Sequence, residues 1–455
     1  CDRRQRQMCI RDRFKDKKVT TAKGFITLHQ FGNKVYFELP LKVLNRDILL
    51  GSTIAETTDN QFGCVGEKSG DPFLVRFVQR DSTITLRRVQ AGQFSDDREI
   101  KKRLQSSTMP AIAETFEIKA YNNDSTAVVF DMTGYLLSDQ KMLSPFSPYS
   151  LIEMMGGSID KDFEKESSFI QGIKGFEDNI SIRSLLTYKV SVGTKGSYAV
   201  KNMPFSAVMN RSFILLPEKP MRHRYADPRI GIFEHSIVEF ASEGRGLRNR
   251  HIAHRWNLEP SDSAAYLRGE LVEPKKPIVF YIDDAFPLSW NKYIHKGVEV
   301  WQKAFEKIGF KNAIIAKDFP KNDPDFDPEN IKYSCIRYVP ARVMNAMGPS
   351  WVDPSTGEII NASVLVYHDV VKLLNQWRFV QTAQVDERAR CKKMDEDMVT
   401  ESIAYILAHE VGHCLGFMHN MAASAAFPVD SLRSASFTQK YGTTPSIMDY
   451  ARFNY

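Results

Sequence analysis

Residues 409–419 read His-Glu-Val-Gly-His-Cys-Leu-Gly-Phe-Met-His, and this stretch restricts the fold more than any other part of the chain. On an α-helix, positions i and i+4 lie one above the other, so His409 and His413 present their rings to one point in space. Straight continuation of the helix cannot bring His419 to that point. The chain must turn sharply after His413, and Gly416 is the residue that can adopt positive φ without steric cost. Three imidazoles leave a fourth coordination position for water, the arrangement of a catalytic rather than a structural zinc. Glu410 follows the first ligand and can take a proton from the attacking water, whose pKa zinc lowers from about 15.7 toward about 7. The pattern therefore predicts Zn2+ as cofactor, His409, His413 and His419 as ligands, and Glu410 as general base.

The helix carrying these residues is predicted from about Asp395 to Leu415, with Ile403, Ile406, Leu407, Val411 and Leu415 as its apolar positions. From Pro274 onward the pattern is that of an α/β layer. Ile278–Ile282 reads as a strand, and a helix follows with apolar positions Ile294, Val298, Trp301, Phe305 and Ile308, stopped by Gly309. Further strands are predicted at Ser334–Val339 and Ala362–Tyr367, the second after the turn Asp353–Gly357.

Before Pro274 strands and turns dominate. Phe25–Leu28 and Val35–Leu39 flank Gly32-Asn33, a tight-hairpin signal, and Ile48–Ile54, Phe73–Val78 and Thr83–Leu86 extend the series. A charged, helix-prone stretch near Asp96–Leu104 precedes strands at Phe116–Ala120, Thr126–Phe130, Ser184–Val192, Gly196–Val200 and Ser212–Leu216. Cys1–Arg13 is basic and lacks apolar periodicity, so the start reads as a non-native or disordered leader. The expected organisation is α+β: a leader at 1–17, a small β-rich domain at 18–92, a second β-rich domain at 93–270, and an α/β domain at 271–455 that holds the histidines.

Charge and cysteines narrow the partners. The chain's 61 Lys plus Arg against 55 Asp plus Glu give only +6, spread along the sequence, which argues against nucleic acid. No window approaches the roughly 20 apolar residues needed to cross a bilayer. Cys64, Cys335, Cys391 and Cys414 have neither CxxC spacing nor a disulfide pattern, and Cys414 reads as a small buried hydrophobe.

Residues 409–419 match HExxHxxGxxH, the signature of the metzincin zinc metallopeptidases, and Ser446-Ile-Met-Asp-Tyr450 resembles their Met-turn. The resemblance implies a twisted mixed sheet in residues 271–455, Met448 as the apolar floor beneath the metal, and endopeptidase activity on a polypeptide. Tyr450 matches the tyrosine that astacin-like and serralysin-like members carry two residues after that methionine. In that role it would be an extra labile ligand that swings to hydrogen-bond the oxyanion. Asn420 departs from both groups, which place Glu or Pro there. Along most of its length the chain is similar to large bacterial zinc-dependent metalloproteases with β-rich N-terminal domains of unknown function. Tyr225–Phe233, Asp353–Glu358 and His409–Asn420 carry that similarity. It implies a periplasmic, cell-surface or extracellular location and a parent protein that is longer at both ends. It also implies that Ala362–Tyr367 is the edge strand along which an extended substrate adds.

Other features fit blander readings. Asp323, Asp325 and Asp327 are interrupted by Pro324 and lack the glycine and glutamate of a calcium loop, so they read as an acidic loop. His251, His254 and His368 read as surface or interface residues, and Asp397 and Glu401 as solvated charges. Two alternatives use the same histidines: a surface-binding protein whose β domains recognise a partner beside a vestigial metal site, and a zinc amidase acting on a non-protein amide. An intact Glu410 weighs against the first.

Overall fold

The computed structural model describes residues 18–450 apart from 69, 147–150, 155, 195–196, 242–245 and 342, so the expected leader lies outside the described residues. The first hairpin forms where Gly32-Asn33 predicts it. Thr27–Phe31 pairs antiparallel with Lys34–Pro40, and Gly32 takes φ 55° at the first central position of the two-residue turn. A five-stranded sheet grows from this hairpin, with Thr20–Ala22 outside Thr27–Phe31 and with Ala127–Asp131 and Ala120–Tyr121 beyond Lys34–Pro40. A second sheet runs in the order Ser158–Phe163, Asn179–Thr194, Ser197–Leu215, Ile48–Thr57, Phe73–Arg80, Thr83–Arg88 and Ala111–Glu117.

The two sheets pack face to face. Phe37 of the first lies 5.6 Å from Phe213 and 6.4 Å from Phe77 of the second, and Phe116 lies 5.2 Å from Phe130. These rings belong to one buried cluster running from Phe25 to Phe213. The expected boundary between residues 92 and 93 is thereby corrected. Each sheet takes strands from both sides of it, and neither piece could bury its apolar face without the other. Three strands expected between Ser184 and Leu216 are two long ones, Asn179–Thr194 and Ser197–Leu215, paired along their length.

The C-terminal half holds a five-stranded sheet in the order Ile314–Asp318, Ile278–Ile282, Ser334–Val339, Val364–Tyr367, Ala346–Met347. The first four are parallel, with Ile278–Ile282, Ser334–Val339 and Val364–Tyr367 largely buried, and the last runs antiparallel. The strand expected at Ala362–Tyr367 breaks at Ser363. Ile359–Ala362 turns away to pair with Ser350–Val352, and Val364–Tyr367 is flanked on both sides. The edge on this side of the sheet is therefore Ala346–Met347, which corrects the expectation that Ala362–Tyr367 would be an edge strand.

Two helices cover this sheet. Leu288–Glu299 packs against Glu396–Cys414 at Gly297, where an added Cβ would come within 2.6 Å of Leu407 Cβ. The helix expected to continue through Ile308 instead breaks at Val300-Trp301 and resumes at Gln302–Lys307. Trp301 then donates from Nε1 to Ala408 O at 2.9 Å, while Ile308 is left 55% exposed.

The halves interlock. A Cβ on Gly51 would lie 2.5 Å from the Trp351 ring, so the ring fills the space that a side chain there would take. Tyr367 donates its hydroxyl to Val65 O at 2.9 Å.

Candidate metal centre

The helix that carries His409 and His413 spans Glu396–Cys414, opens with Glu396 and Asp397 at its positive N-terminal end, and is buried along most of its length. It ends in a Schellman turn. Gly416, at φ 102°, donates to His413 O at 2.9 Å, and Phe417 N donates to Gly412 O at 3.0 Å. The Phe417 ring stacks on Trp301 at 5.7 Å. Chain reversal at Gly416 returns His419 toward the helix, as its position in the sequence predicts.

The three histidines converge, with ligand atoms within 4.8 Å of one another. Their ring centroids lie 4.8 Å (His409–His413), 5.2 Å (His409–His419) and 4.7 Å (His413–His419) apart. Two tautomers are fixed by backbone oxygens. His409 Nδ1 donates to Ile447 O at 2.8 Å, and His413 Nδ1 donates to Phe417 O at 2.7 Å. A carbonyl accepts only, so each Nδ1 carries the proton and each Nε2 is the unprotonated nitrogen of the neutral ring. The His413 and His419 Nε2 atoms lie 3.2 Å apart. Tetrahedral ligands held 2.0–2.1 Å from zinc stand roughly 3.3 Å from each other, so the His413–His419 pair fits the ion.

Glu410 is half-buried beside these rings, and loss of surrounding water pushes its carboxyl up to about 8. Burial likewise lowers His413 and pushes the Cys414 thiol well above its ordinary range, in keeping with a packed rather than reactive cysteine. Met448 is buried directly under the helix. A Cβ on Gly412 would lie 2.3 Å from its sulfur, so the methionine floor depends on glycine at that position. Asp449 braces the turn by accepting from Ser424 N at 2.7 Å and Thr444 Oγ1 at 3.1 Å. Burial alone would raise the Asp449 carboxyl, but these hydrogen bonds hold it below its ordinary value. The Tyr450 ring stands 4.5 Å from His419 and 5.4 Å from His409, and it is 47% exposed at the mouth of the site. A cavity of about 130 Å³ opens beside Glu410, walled by Ala346, Val370, Leu373, Trp377 and Tyr405.

Sequence reasoning gave no role at the metal site to Gly412, Trp301, Trp256 or Asp449. Gly412 lies inside the motif at a variable position, and the other three act through partners distant in sequence. The residues set aside stay away from the metal cluster. His254 pairs with His235 at 3.0 Å, and burial first and then the His235 charge lower it to about 4. His251 pairs with Glu234 and Asp327 with Lys174, and Glu401 projects outward.

Comparison with known families agrees with this geometry. Residues 391–455 match a family model described as Met-zincin. Residues 66–261 match a domain of unknown function (DUF5117), and residues 11–57 match another (DUF5118), which carries family sequence into the last part of the stretch 1–17. No curated protein and no solved structure gives a match. The Met-zincin match and the three-histidine cluster together support a metzincin-like domain and a metal site of the kind that takes zinc.

Proposed function

We propose that this chain is a zinc-dependent endopeptidase, with residues 271–455 as its catalytic domain. The observation that carries this reading is the pair of backbone-locked imidazoles, His409 and His413, which converge with His419 beside a half-buried glutamate. Zinc held by these three nitrogens supplies a Lewis acid that polarises a carbonyl and acidifies water.

The protein's own groups do the rest. Glu410 accepts a proton from the attacking water and delivers it to the departing amine, so no covalent intermediate is required. A carboxyl pushed upward by burial is suited to that exchange near neutral pH. Tyr450 presents its phenol at the mouth of the site as a hydrogen-bond donor to the oxyanion. An extended peptide adds to the antiparallel edge strand Ala346–Met347, which leads through Gly348 to the helix backbone at Glu410. That edge favours a polypeptide over a small amide as substrate. A periplasmic, cell-surface or extracellular location belongs to the same proposal and rests on family resemblance.

The test is cleavage of an unfolded protein by zinc-loaded wild type and by Glu410→Ala, with bound zinc measured in both. Cleavage lost while zinc is retained is the expected result. Undiminished cleavage by the variant removes Glu410 from the chemistry.

A further inference from the structure

The turn that delivers His419 is gripped by the β-rich half of the chain. Phe233 N donates to Gly416 O at 2.7 Å and Met418 N donates to Gly231 O at 3.0 Å, forming a short antiparallel bridge centred on Ile232 and Phe417. Trp256 Nε1 donates to Cys414 O, the last residue of the active-site helix, at 2.9 Å. The two gripping segments are tied together by His254 N donating to Phe233 O at 2.8 Å. The fit is close. A Cβ on Gly416 would lie 2.6 Å from His254 O, and the Phe233 ring lies 5.7 Å from that of His413.

Within the catalytic half, Gly412, His413 and Trp301 fix Phe417. The groups on either side of it, Gly416 O and Met418 N, are fixed by Gly231–Phe233. His419 follows directly after Met418. Its imidazole therefore meets those of His409 and His413 in a geometry that depends on a segment far upstream. A third ligand on a loose turn would have to be ordered when metal binds, and that ordering weakens affinity.

We propose that Gly231–Phe233 and Trp256 are positioning residues of the metal centre, and that the β-rich half thereby sets the affinity of the three histidines for zinc. The inference rests on reading those histidines as a zinc site. It gives the N-terminal half a definite part in the chemistry: it completes a site whose ligands all lie on the other half.

The experiment measures zinc affinity of the full chain by competition with a chromophoric chelator. Wild type is compared with Phe233→Pro, which lacks the donating N–H, Phe233→Leu, which keeps it, and Trp256→Phe, which loses the indole donor but keeps a ring. His413→Ala reports loss of the site. Phe233→Pro and Trp256→Phe are expected to bind about 10- to 100-fold more weakly, the usual effect of removing a group that orients a metal ligand. Phe233→Leu should stay close to wild type. A merely structural role lowers the unfolding temperature of the chelated protein and leaves zinc affinity unchanged, and that result overturns the inference. If Phe233→Pro does not fold, Trp256→Phe decides alone. Wild type that takes up no zinc overturns the metal-site reading and this inference with it; wild-type affinity in the variants overturns this inference alone.

Discussion

His413 Nε2 faces His419 Nε2 across 3.2 Å, while the opposite nitrogen of His413 is committed to the carbonyl of Phe417. Two imidazole lone pairs aimed at each other repel unless a proton or a cation lies between them. The backbone carbonyls of Ile447 and Phe417 hold His409 and His413 in this orientation, so the folded chain maintains an arrangement that a cation stabilises.

Zinc should therefore stabilise the fold by mass action. A ligand bound only by the folded state adds about 2.7 kcal/mol at a hundredfold excess over its dissociation constant. The unfolding midpoint should rise with zinc and fall with chelator in wild type, and both responses should vanish in His413→Ala. A zinc-induced rise that persists in His413→Ala would locate the binding elsewhere.

Glu410 predicts a pH dependence in the chelated protein. Its folded pKa of about 8 stands above the ordinary 4.5, so its contribution to stability is full below about 4.5 and is lost as pH rises through 8. Above that, a partly buried carboxylate opposes folding by up to a few kcal/mol, since each tenfold weakening of acidity on folding corresponds to roughly 1.4 kcal/mol. Chelated Glu410→Gln should match wild type near pH 5 and exceed it in denaturant resistance near pH 9. A variant less stable than wild type at pH 9 would contradict the burial assigned to this carboxyl.

Much of the site was legible because its determinants are local. The i, i+4 spacing of His409 and His413 and the positive φ required at Gly416 follow from helix geometry alone. Trp256, Phe233 and Gly231 were not legible, because their roles arise from hydrogen bonds to residues 414–418 that no short-range pattern encodes. The edge strand was misassigned for a related reason. A continuous apolar run marks Val364–Tyr367 as buried, but the short Ala346–Met347 pairing that covers it has no periodicity to detect. The boundary at residue 92 failed because turn chemistry locates hairpins without saying which sheet each strand joins.

Gly412 offers a test of the methionine floor. Its Cβ position is 2.3 Å from Met448 Sδ and 2.9 Å from the Trp301 ring, so Gly412→Ala must displace the Met-turn or the helix. Overpacking of this kind costs about 1–3 kcal/mol. Because Ile447 O orients His409, the displacement should also weaken zinc binding. Gly412→Ala combined with Met448→Ala should recover part of the lost stability. No recovery would mean that the clash is not with Met448.

Tyr450 is predicted to act on turnover rather than on metal binding. Tyr450→Phe keeps the ring beside His419 but removes the hydroxyl, and loss of one oxyanion donor lowers kcat by about 10²–10³. Zinc affinity should change little. A variant with wild-type kcat, or one whose only defect is zinc loss, would remove the phenol from the proposed chemistry.

The cavity beside Glu410 sets what the site should prefer to cut. At about 130 Å³, with Val370, Leu373 and Trp377 on one wall and Tyr405 on another, it suits a single medium-sized apolar side chain of the substrate. Val370, Leu373 and Trp377 belong to the helix Val370–Thr382, so the volume can be changed without touching the histidines. Leu373→Phe should shrink the pocket and shift cleavage toward small residues, and Leu373→Ala should admit larger aromatic ones. Each change is expected to alter relative rates by at least about 10-fold, since a single methylene commands about 10- to 200-fold in an apolar pocket. Mass spectrometry of fragments from a peptide library reads the residue on each side of the cut. Identical profiles for both variants and wild type would show that substrate side chains bind elsewhere along the Ala346–Met347 edge.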